Sequence, residues 1–265
     1  MTIQVTQLFE KIWQSYIDVT PSAHKVHQLL GAGNDLLNDH VAYRTFNIDK
    51  VNIEKIAAPL IALGYVECGQ YTFEAKKLNA KHFEHPNSEL PKVFISELLV
   101  EEFSEQTQNI IHRLVDAIDE KVIETADFLY SGTHWKISSD DYDTLLAESE
   151  YAAWVAAWGY RANHFTVSIN HLKDFDSIEQ VNSAVKAGGF TLNAVGGEVK
   201  GDISVKLEQS STMADMATVE FTNKTVKLPS CFYEFAKRYP LESGELYSGF
   251  VAASADKIFE STNKN

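Results

Sequence analysis

The chain has 265 residues, of which 45% are hydrophobic and 23% charged, and it carries a formal net charge of -14. This length and composition predict a globular protein that buries a large core, in one domain or in two fused halves. The negative charge argues against a nucleic acid or an anionic membrane as a partner, because either would require a cationic face.

The cysteine content and the start of the chain point to a reducing compartment. Cys68 and Cys231 are too few for a disulfide scaffold and too far apart for a zinc ribbon. The opening sequence MTIQVTQLFEKIWQSY lacks a basic region followed by an apolar core, and no run reaches the roughly 20 apolar residues that span a bilayer. We therefore expect a cytoplasmic protein that is neither exported nor embedded in a membrane.

The first hundred residues predict a helical preface and then a strand–helix–strands unit. Apolar residues at helical spacing, broken at Pro21, indicate helices over residues 1–38. In residues 39–100 the run HVAYRTF predicts a strand, IEKIAAPLIALGY a helix, and YTFEAKKL and KVFISELLV further strands. Pro59 is expected to kink that helix or to lie near its end.

The second half predicts helices and then another unit of the same kind. Residues 101–160, with IIHRLVDAI and LLAESEYAAWVAAW at their centre, indicate a helical insertion without a Gly- or Pro-rich linker. Residues 161–240 contain the strand NHFTVSIN, the helix IEQVNSAVKAGG, and strands near FTLNAV, ISVKLEQSS, ATVEF and CFYEFAKRY. Residues 241–265 are a tail, ending in STNKN, which we expect to fray.

The two units share a histidine at their start and a glycine at the same distance from it. His40 and His164 each open a strand, and Gly64 and Gly188 each follow their histidine by 24 residues. Two copies of such a unit can close around a shared cavity with one histidine on each side. We therefore predict an α+β fold, a single domain over residues 1–265, with a metal site between its two halves.

The last strand of each unit contains a candidate for the remaining metal ligand. Glu97 and Glu234 both lie there among apolar neighbours, where an unpaired carboxylate is costly. Two histidines and one glutamate leave three positions open on iron(II). Glu234 is the favoured ligand and Glu208 its main competitor, whereas Glu97 could complete a four-ligand site of glyoxalase type. His82 and His85, in a predicted loop, are not expected to bind a metal.

Arg44 is predicted to share a strand face with His40. Four strand residues span roughly 13 Å, so an arginine there can hold the far end of a ligand whose near end lies on the metal. Its planar fork suits a carboxylate. The alternative is an ordinary ion pair with a neighbouring acid. Tyr151, Trp154 and Trp158, at helical spacing, indicate a packing stripe.

Several phrases resemble the 2-oxoadipate dioxygenase/decarboxylase family, also called 2-hydroxyglutarate synthase, of the vicinal-oxygen-chelate superfamily. They are DHVAYRTF, NHFTVSIN, LEQSSTMAD and FYEFAKR, and the similarity covers the chain from about Asp39 to Tyr239. The resemblance implies paired βαβββ units that form a curved mixed sheet around a metal cavity, with additional helices. It also implies metal ligands at His40, His164 and Glu234, and a substrate-carboxylate contact at Arg44.

The activity that the resemblance implies is oxidative decarboxylation of a 2-oxo acid with O2. The expected cofactor is Fe(2+), although such a ligand set also accepts Zn, Ni or Mn. A 2-oxo dicarboxylate such as 2-oxoadipate would give 2-hydroxyglutarate and carbon dioxide. The alternatives are a glyoxalase-like lyase or isomerase, a metal-dependent hydrolase, and a non-catalytic protein that binds a small molecule.

Overall fold

The protein is described by a computed structural model that covers residues 2–32 and 35–262. The helices are α1 (Thr2–Ile17), α2 (Pro21–Gly31), α3 (Ile53–Ala62), α4 (Glu105–Asp116), α5 (Glu120–Ile123), α6 (Ser139–Glu148), α7 (Glu150–Trp158), α8 (Ile178–Ala187) and α9 (Ala252–Ile258). The strands are β1 (Asn38–Phe46), β2 (Val66–Phe73), β3 (Leu78–Glu84), β4 (Lys92–Leu98), β5 (His164–Ser168), β6 (Lys200–Asp202), β7 (Leu207–Ser211), β8 (Met216–Glu220), β9 (Thr225–Pro229) and β10 (Phe232–Arg238).

Eight strands form one curled mixed sheet in the order β2-β3-β4-β1-β5-β10-β7-β6. The first strands of the two units, β1 and β5, lie antiparallel at its centre, with Ala42 opposite His164. Each first strand is also parallel to the last strand of its own unit, β1 to β4 and β5 to β10. The sheet therefore has two βαβββ halves, and the predicted α+β fold class is confirmed.

One helix from each unit packs against the sheet. In α3 the Asn52 side chain accepts a hydrogen bond from the Lys55 amide at the N-terminus, and in α8 Ser177 does the same for Gln180. The inner faces of both helices bury aliphatic residues. Pro59 lies inside α3, close to its end, as expected.

Two local predictions were wrong, those for FTLNAV and for the segment around His82. FTLNAV contributes only an isolated bridge between Leu192 and Thr212, whereas ATVEF is a strand as predicted, β8, and pairs with β9 in a separate hairpin. The segment around His82 is strand β3, in which Leu78, Ala80 and His82 are buried in alternation. The sequence did not show this alternation of buried residues because His82 is a polar residue at a buried position.

Gly159 forms the turn that leads from the helical region into β5. Helix α7 ends at Gly159, whose φ is +64°, and a Cβ there would lie 2.1 Å from the Gly132 carbonyl oxygen. Tyr160 then bridges to Gly132 and the chain enters β5 at His164. The close backbone approach requires glycine at this turn.

The end of the described chain is packed, not frayed. After α9, a 3-10 turn over Phe259–Thr262 buries Ser261 and Thr262 completely or almost completely. The Asn193 side chain donates a 2.8 Å hydrogen bond to the Ser261 hydroxyl, and the Ala214 amide donates to the Ser261 carbonyl. Fraying was predicted from polarity, and it fails here because the polar groups have polar partners. Residues 263–265 lie outside the described residues.

The domain boundaries inferred from the sequence, with a single domain over residues 1–265, stay a prediction. Across the described ranges, the helices fall short of the length and apolar character that crossing a bilayer demands.

Candidate metal centre

Three side chains from three neighbouring strands converge on one point of the concave sheet. They are His40 of β1, His164 of β5 and Glu234 of β10, and their ligand atoms all lie within 4.8 Å of one another. Glu234 Oε2 is 3.2 Å from His164 Nε2, and Glu234 Oε1 is 3.6 Å from His40 Nε2. The structure therefore brings together the three residues that the sequence selected.

Strand alternation places these side chains on the cavity side. In β5, the intervening Phe165 packs against Trp13 and Tyr16 of α1 on the opposite face. Thr166 faces the cavity, and its hydroxyl lies 3.1 Å from His40 Nε2. Thr166 is fully buried and His164 almost fully, so this face of β5 is not turned to solvent.

Each histidine is oriented by the residue before it. His40 Nδ1 is 2.8 Å from Asp39 Oδ1, and His164 Nδ1 is 3.0 Å from Asn163 Oδ1. With Nδ1 donating to these oxygens, the Nε2 atom of each ring is left on the side of Glu234, where it can bind a metal. This is the tautomer that a metal ligand needs.

Arg238 keeps Asp39 ionised. Its Nε and Nη2 donate to the two Asp39 carboxylate oxygens at 2.6 and 2.8 Å, while Nη1 donates to the carbonyls of Tyr247 and Gly249. Burial alone would raise the pKa of Asp39, but the charge and hydrogen bonds of Arg238, together with His40, lower it far more. An ionised Asp39 is a strong acceptor for His40 Nδ1.

Glu234 is fully buried, with a polar atom that lacks a partner. Oε1 accepts a 2.6 Å hydrogen bond from Gln209 Nε2, whereas Oε2 has no hydrogen-bond partner among the described residues. Burial raises the pKa of Glu234, opposed by His40 and by the Gln209 hydrogen bond. Burial and the nearby His40 and Arg44 hold the pKa of His164 well below its usual value.

The neutral His164 ring and the Glu234 carboxylate together favour a bound cation. With its proton on Nδ1, His164 Nε2 faces Glu234 Oε2 as one acceptor facing another at 3.2 Å. A cation between them, either a proton or a metal ion, relieves this repulsion. Two imidazole nitrogens and a carboxylate suit a divalent transition metal, so the residues present fit the group.

The competing glutamates are engaged elsewhere. Glu97 Oε2 accepts from the Ile53 amide at the start of α3, 3.0 Å away. Glu208 Oε2 accepts from the Tyr239 hydroxyl at 2.7 Å. Neither belongs to the convergent group, so a four-ligand site with Glu97 is not assembled.

A second group of potential ligands is already satisfied by protein partners. Cys68, His82 and Glu84 bring three ligand atoms within 4.8 Å. His82 Nδ1 lies 2.9 Å from the Tyr71 hydroxyl and Nε2 lies 3.0 Å from Glu84, whose other oxygen pairs with Lys92. Burial raises the pKa of Cys68, which disfavours the thiolate that binds metals. We assign no metal to this group.

Arg44 lines the same cavity as the three ligands. This small cavity, about 30 Å³, is lined by His40, Arg44, His164 and Glu234. The guanidinium carbon lies 5.0 Å from the centres of the Tyr151 and Trp154 rings and 5.3 Å from that of Phe259. Tyr151, Trp154 and Trp158, which were predicted to pack in the core, are buried. Tyr151 and Trp154 also pack against Arg44.

Sequence reasoning missed the partners of Arg44 and of Glu234. Arg44 Nη1 donates to Glu150 at 3.3 and 3.4 Å, and Nη2 donates to Thr262 at 3.2 Å. The ion-pair alternative is thus partly realised, between the buried Arg44 and the partly exposed Glu150. Gln209 stands in the recognised phrase LEQSSTMAD, which could have drawn attention to it; Glu150 and Thr262 stand in no comparable motif.

Comparisons with known proteins agree with this architecture. A family model described as 2-oxoadipate dioxygenase/decarboxylase matches residues 2–245. The chain is 35% identical to the chloroplastic 2-oxoadipate dioxygenase/decarboxylase of Arabidopsis thaliana, over 93% of this chain and 74% of that protein.

Solved structures show the same fold. The hydroxyglutarate synthase of Oryza sativa in complex with 2-oxoadipate superposes with a TM-score of 0.91 at 35% identity, covering 98% of this chain and 92% of that one. A Shewanella frigidimarina protein, provisionally described as a hydrolase, gives 0.92 at 61% identity, covering 94% and 98%. A glyoxalase-superfamily protein of Ralstonia eutropha gives 0.71 at 21% identity over 93% and 85%, and shows the fold alone.

Proposed function

Because the chain belongs to the 2-oxoadipate dioxygenase/decarboxylase family, we propose that it is an Fe(II)-dependent enzyme that oxidatively decarboxylates a 2-oxo dicarboxylate. The leading substrate is 2-oxoadipate, which with O2 gives 2-hydroxyglutarate and carbon dioxide. The observation that carries this proposal is the convergence of His40, His164 and Glu234 on one cavity that Arg44 also lines. One end of a 2-oxo diacid then lies at the metal and the other at the guanidinium.

The metal would be held by His40 Nε2, His164 Nε2 and the Glu234 carboxylate. When bound, the ion supplies a Lewis acid and a template on which the 2-oxo acid and oxygen meet. Iron is proposed because the family reaction consumes O2, whereas the donor set by itself also accepts Zn, Ni or Mn.

Other residues of the chain fix the geometry of these ligands. Asp39 and Asn163 hold the Nδ1 protons, and Gln209 holds one Glu234 oxygen. Such outer contacts fix ring orientation and raise ligand basicity. They also leave the ligand lone pairs directed at one point.

Arg44 would position the substrate by binding its distal carboxylate. The arginine is 2% exposed, and its charge is surrounded by aromatic rings in place of water. Charge-assisted hydrogen bonds are stronger in such a setting. A substrate held at both ends keeps its 2-oxo acid group aligned for reaction.

Hydrolysis is the second candidate function, because the Shewanella protein at 61% identity carries that provisional description. A His-His-Glu metal site can also activate water. The two candidates differ in their need for oxygen, which gives a decisive assay.

The test is oxygen uptake by iron-loaded protein over a panel of 2-oxo acids, with carbon dioxide release measured in parallel. We expect equal molar uptake and release with 2-oxoadipate and no turnover under argon. Turnover under argon would support the hydrolase or lyase alternatives, and absence of turnover with every acid would contradict the proposal.

The compartment is a separate proposal. Cys68 and Cys231 are both free thiols, which supports a reducing compartment. The curated relatives are described as chloroplastic or amyloplastic, and the cytoplasmic location expected from the sequence stays a prediction.

A further inference from the structure

The segment over residues 250–262, called the strap here, covers the metal cavity. The Phe250 ring lies edge-on to His40 with centroids 4.8 Å apart, and Ala255, Ile258 and Phe259 line the cavity. The space left is about 30 Å³, which is room for about one or two water molecules. A six-carbon diacid does not fit while the strap lies there.

The strap also makes a hydrogen bond to Arg44, the residue proposed to bind the distal carboxylate. Nε and Nη2 point to the same side of a guanidinium and together make the two parallel hydrogen bonds that a carboxylate accepts. Nη2 donates to the Thr262 hydroxyl at 3.2 Å, whereas Nε is buried and has no partner among the described residues. The Nε arm of this fork is therefore without a partner among the described residues while the strap is in place.

Thr262 and Glu150 contact the Nη1–Nη2 end of the Arg44 guanidinium side by side. The Thr262 hydroxyl lies 3.2 Å from Arg44 Nη2, 2.6 Å from Glu150 Oε1 and 3.0 Å from the Phe259 carbonyl oxygen. Glu150 Oε1 in turn accepts from Arg44 Nη1 at 3.3 Å. Displacing the strap therefore removes one hydrogen bond from Arg44 but leaves its ion pair with the partly exposed Glu150.

We propose that the strap is a gate, which the hydrogen bond between Arg44 and the Thr262 hydroxyl holds closed over the cavity and which a bound substrate displaces. This inference rests on the proposed function, since it assumes a dicarboxylic ligand at Arg44. Any ligand must displace the strap. Only a ligand with a second carboxylate replaces the hydrogen bond lost by Arg44 and also satisfies Nε.

The strap is tethered to both halves of the protein by contacts that can be broken singly. Lys76 of the first unit pairs with Glu260 at 2.8 Å, and both side chains are partly exposed. On the side of the second unit, Ser261 lies 2.8 Å from the hydroxyl of Ser211 and accepts from Asn193. These are neutral hydrogen bonds and one half-exposed ion pair, so opening the strap exposes no isolated buried charge of its own.

The gate makes a specific prediction for binding. Thr262→Val destabilises only the closed form of the strap. It should therefore lower the dissociation constants of all 2-oxo acids for the metal-loaded, oxygen-free protein by the same factor, about fivefold. The probes are 2-oxoadipate and 2-oxohexanoate, which is as long but lacks the second carboxylate. Dissociation constants are measured by calorimetry under argon with Mn(2+).

Hydrogen exchange of the ligand-free full-length protein provides an independent readout. Thr262→Val and Glu260→Gln should both speed exchange of amides in the strap several-fold. Glu54→Gln is the matched control, since it breaks another 2.8 Å lysine–glutamate pair, with Lys81, away from the strap. It should leave exchange of the strap unchanged.

The outcomes separate the gate from the proposed function. A Thr262→Val protein that weakens 2-oxoadipate alone would make Thr262 a direct substrate contact and overturn the gate. Unchanged constants for both acids in that variant, with normal binding by the wild type, would also overturn it and leave the proposed function standing. Failure of wild-type and variant protein to bind either acid would overturn the proposed function and the gate together.

Discussion

At the scale of single residues, the two histidines have different partners. His40 is backed by a carboxylate that Arg238 keeps ionised, whereas His164 is backed by the neutral amide of Asn163. A charged acceptor makes the imidazole a more electron-rich ligand than an amide does. The two halves therefore share the histidine but differ in the residue that contacts its Nδ1.

The first prediction concerns Asn163. Asn163→Ala removes the acceptor that fixes the His164 tautomer, and metal affinity should fall about 10- to 100-fold. Competition against a fluorescent chelator measures this change. Asn79→Ala, at a partly exposed position of β3, should have no effect; an equal loss in both variants would remove Asn163 from the site.

The second prediction concerns Arg44. Arg44→Met keeps an apolar stem among the aromatic rings and removes the charge. The KM for 2-oxoadipate should rise about 100-fold, because charge-assisted hydrogen bonds to the distal carboxylate are lost, whereas that for 2-oxohexanoate should change little. Steady-state oxygen uptake gives both values. Equal increases for the two acids would exclude Arg44 from recognition of the second carboxylate.

At the scale of elements, the sequence predicted the parts of the fold that follow from repetition. The matched starts at His40 and His164 correspond to β1 and β5, which pair at the centre of the sheet. The glutamate on the last strand of the second unit arrives beside them because β10 is parallel to β5. These placements follow from strand alternation and strand order.

The parts that could not be predicted depend on contacts between segments far apart in sequence. Thr262 reaches Arg44 across 218 residues, and no local pattern encodes that pairing. Glu97 and Glu234 had similar apolar surroundings in the sequence, yet Glu97 turns to an amide of α3. Periodicity assigns a face to a residue but does not name its partner.

The third prediction concerns the turn between α7 and β5. Gly159→Ala places a Cβ 2.1 Å from a backbone oxygen and should cost about 3 kcal/mol or more of unfolding free energy. Gly244→Ala is the control, since Gly244 also has a positive φ of +89° but no atom within 4 Å of an added Cβ. Its cost should be about 1 kcal/mol. Similar urea midpoints for the two variants would show that the turn relaxes.

At the scale of the whole molecule, the candidate metal centre joins the two halves. His40 belongs to the first unit, whereas His164 and Glu234 belong to the second. A bound ion would therefore link both halves of the sheet at its central strands. Binding to the folded protein alone stabilises it by mass action.

The fourth prediction follows from that linkage. A divalent ion at 100 times its Kd should add about 2.7 kcal/mol and raise Tm by roughly 5 to 10 °C for a chain of this size. Differential scanning calorimetry with Mn(2+) measures the shift. His164→Ala should bind no metal at the centre and show no shift, and a shift equal to that of the wild type would contradict the proposed ligand set.

The proposed dioxygenase reaction places both atoms of O2 in the organic product, and isotope labelling detects them. Iron-loaded protein is given 2-oxoadipate under 18O2, and the product is analysed by mass spectrometry. We predict 2-hydroxyglutarate that carries both labelled atoms, one in the new hydroxyl and one in the carboxylate formed at the former keto carbon. A product without label, or turnover that continues under argon, would exclude this reaction.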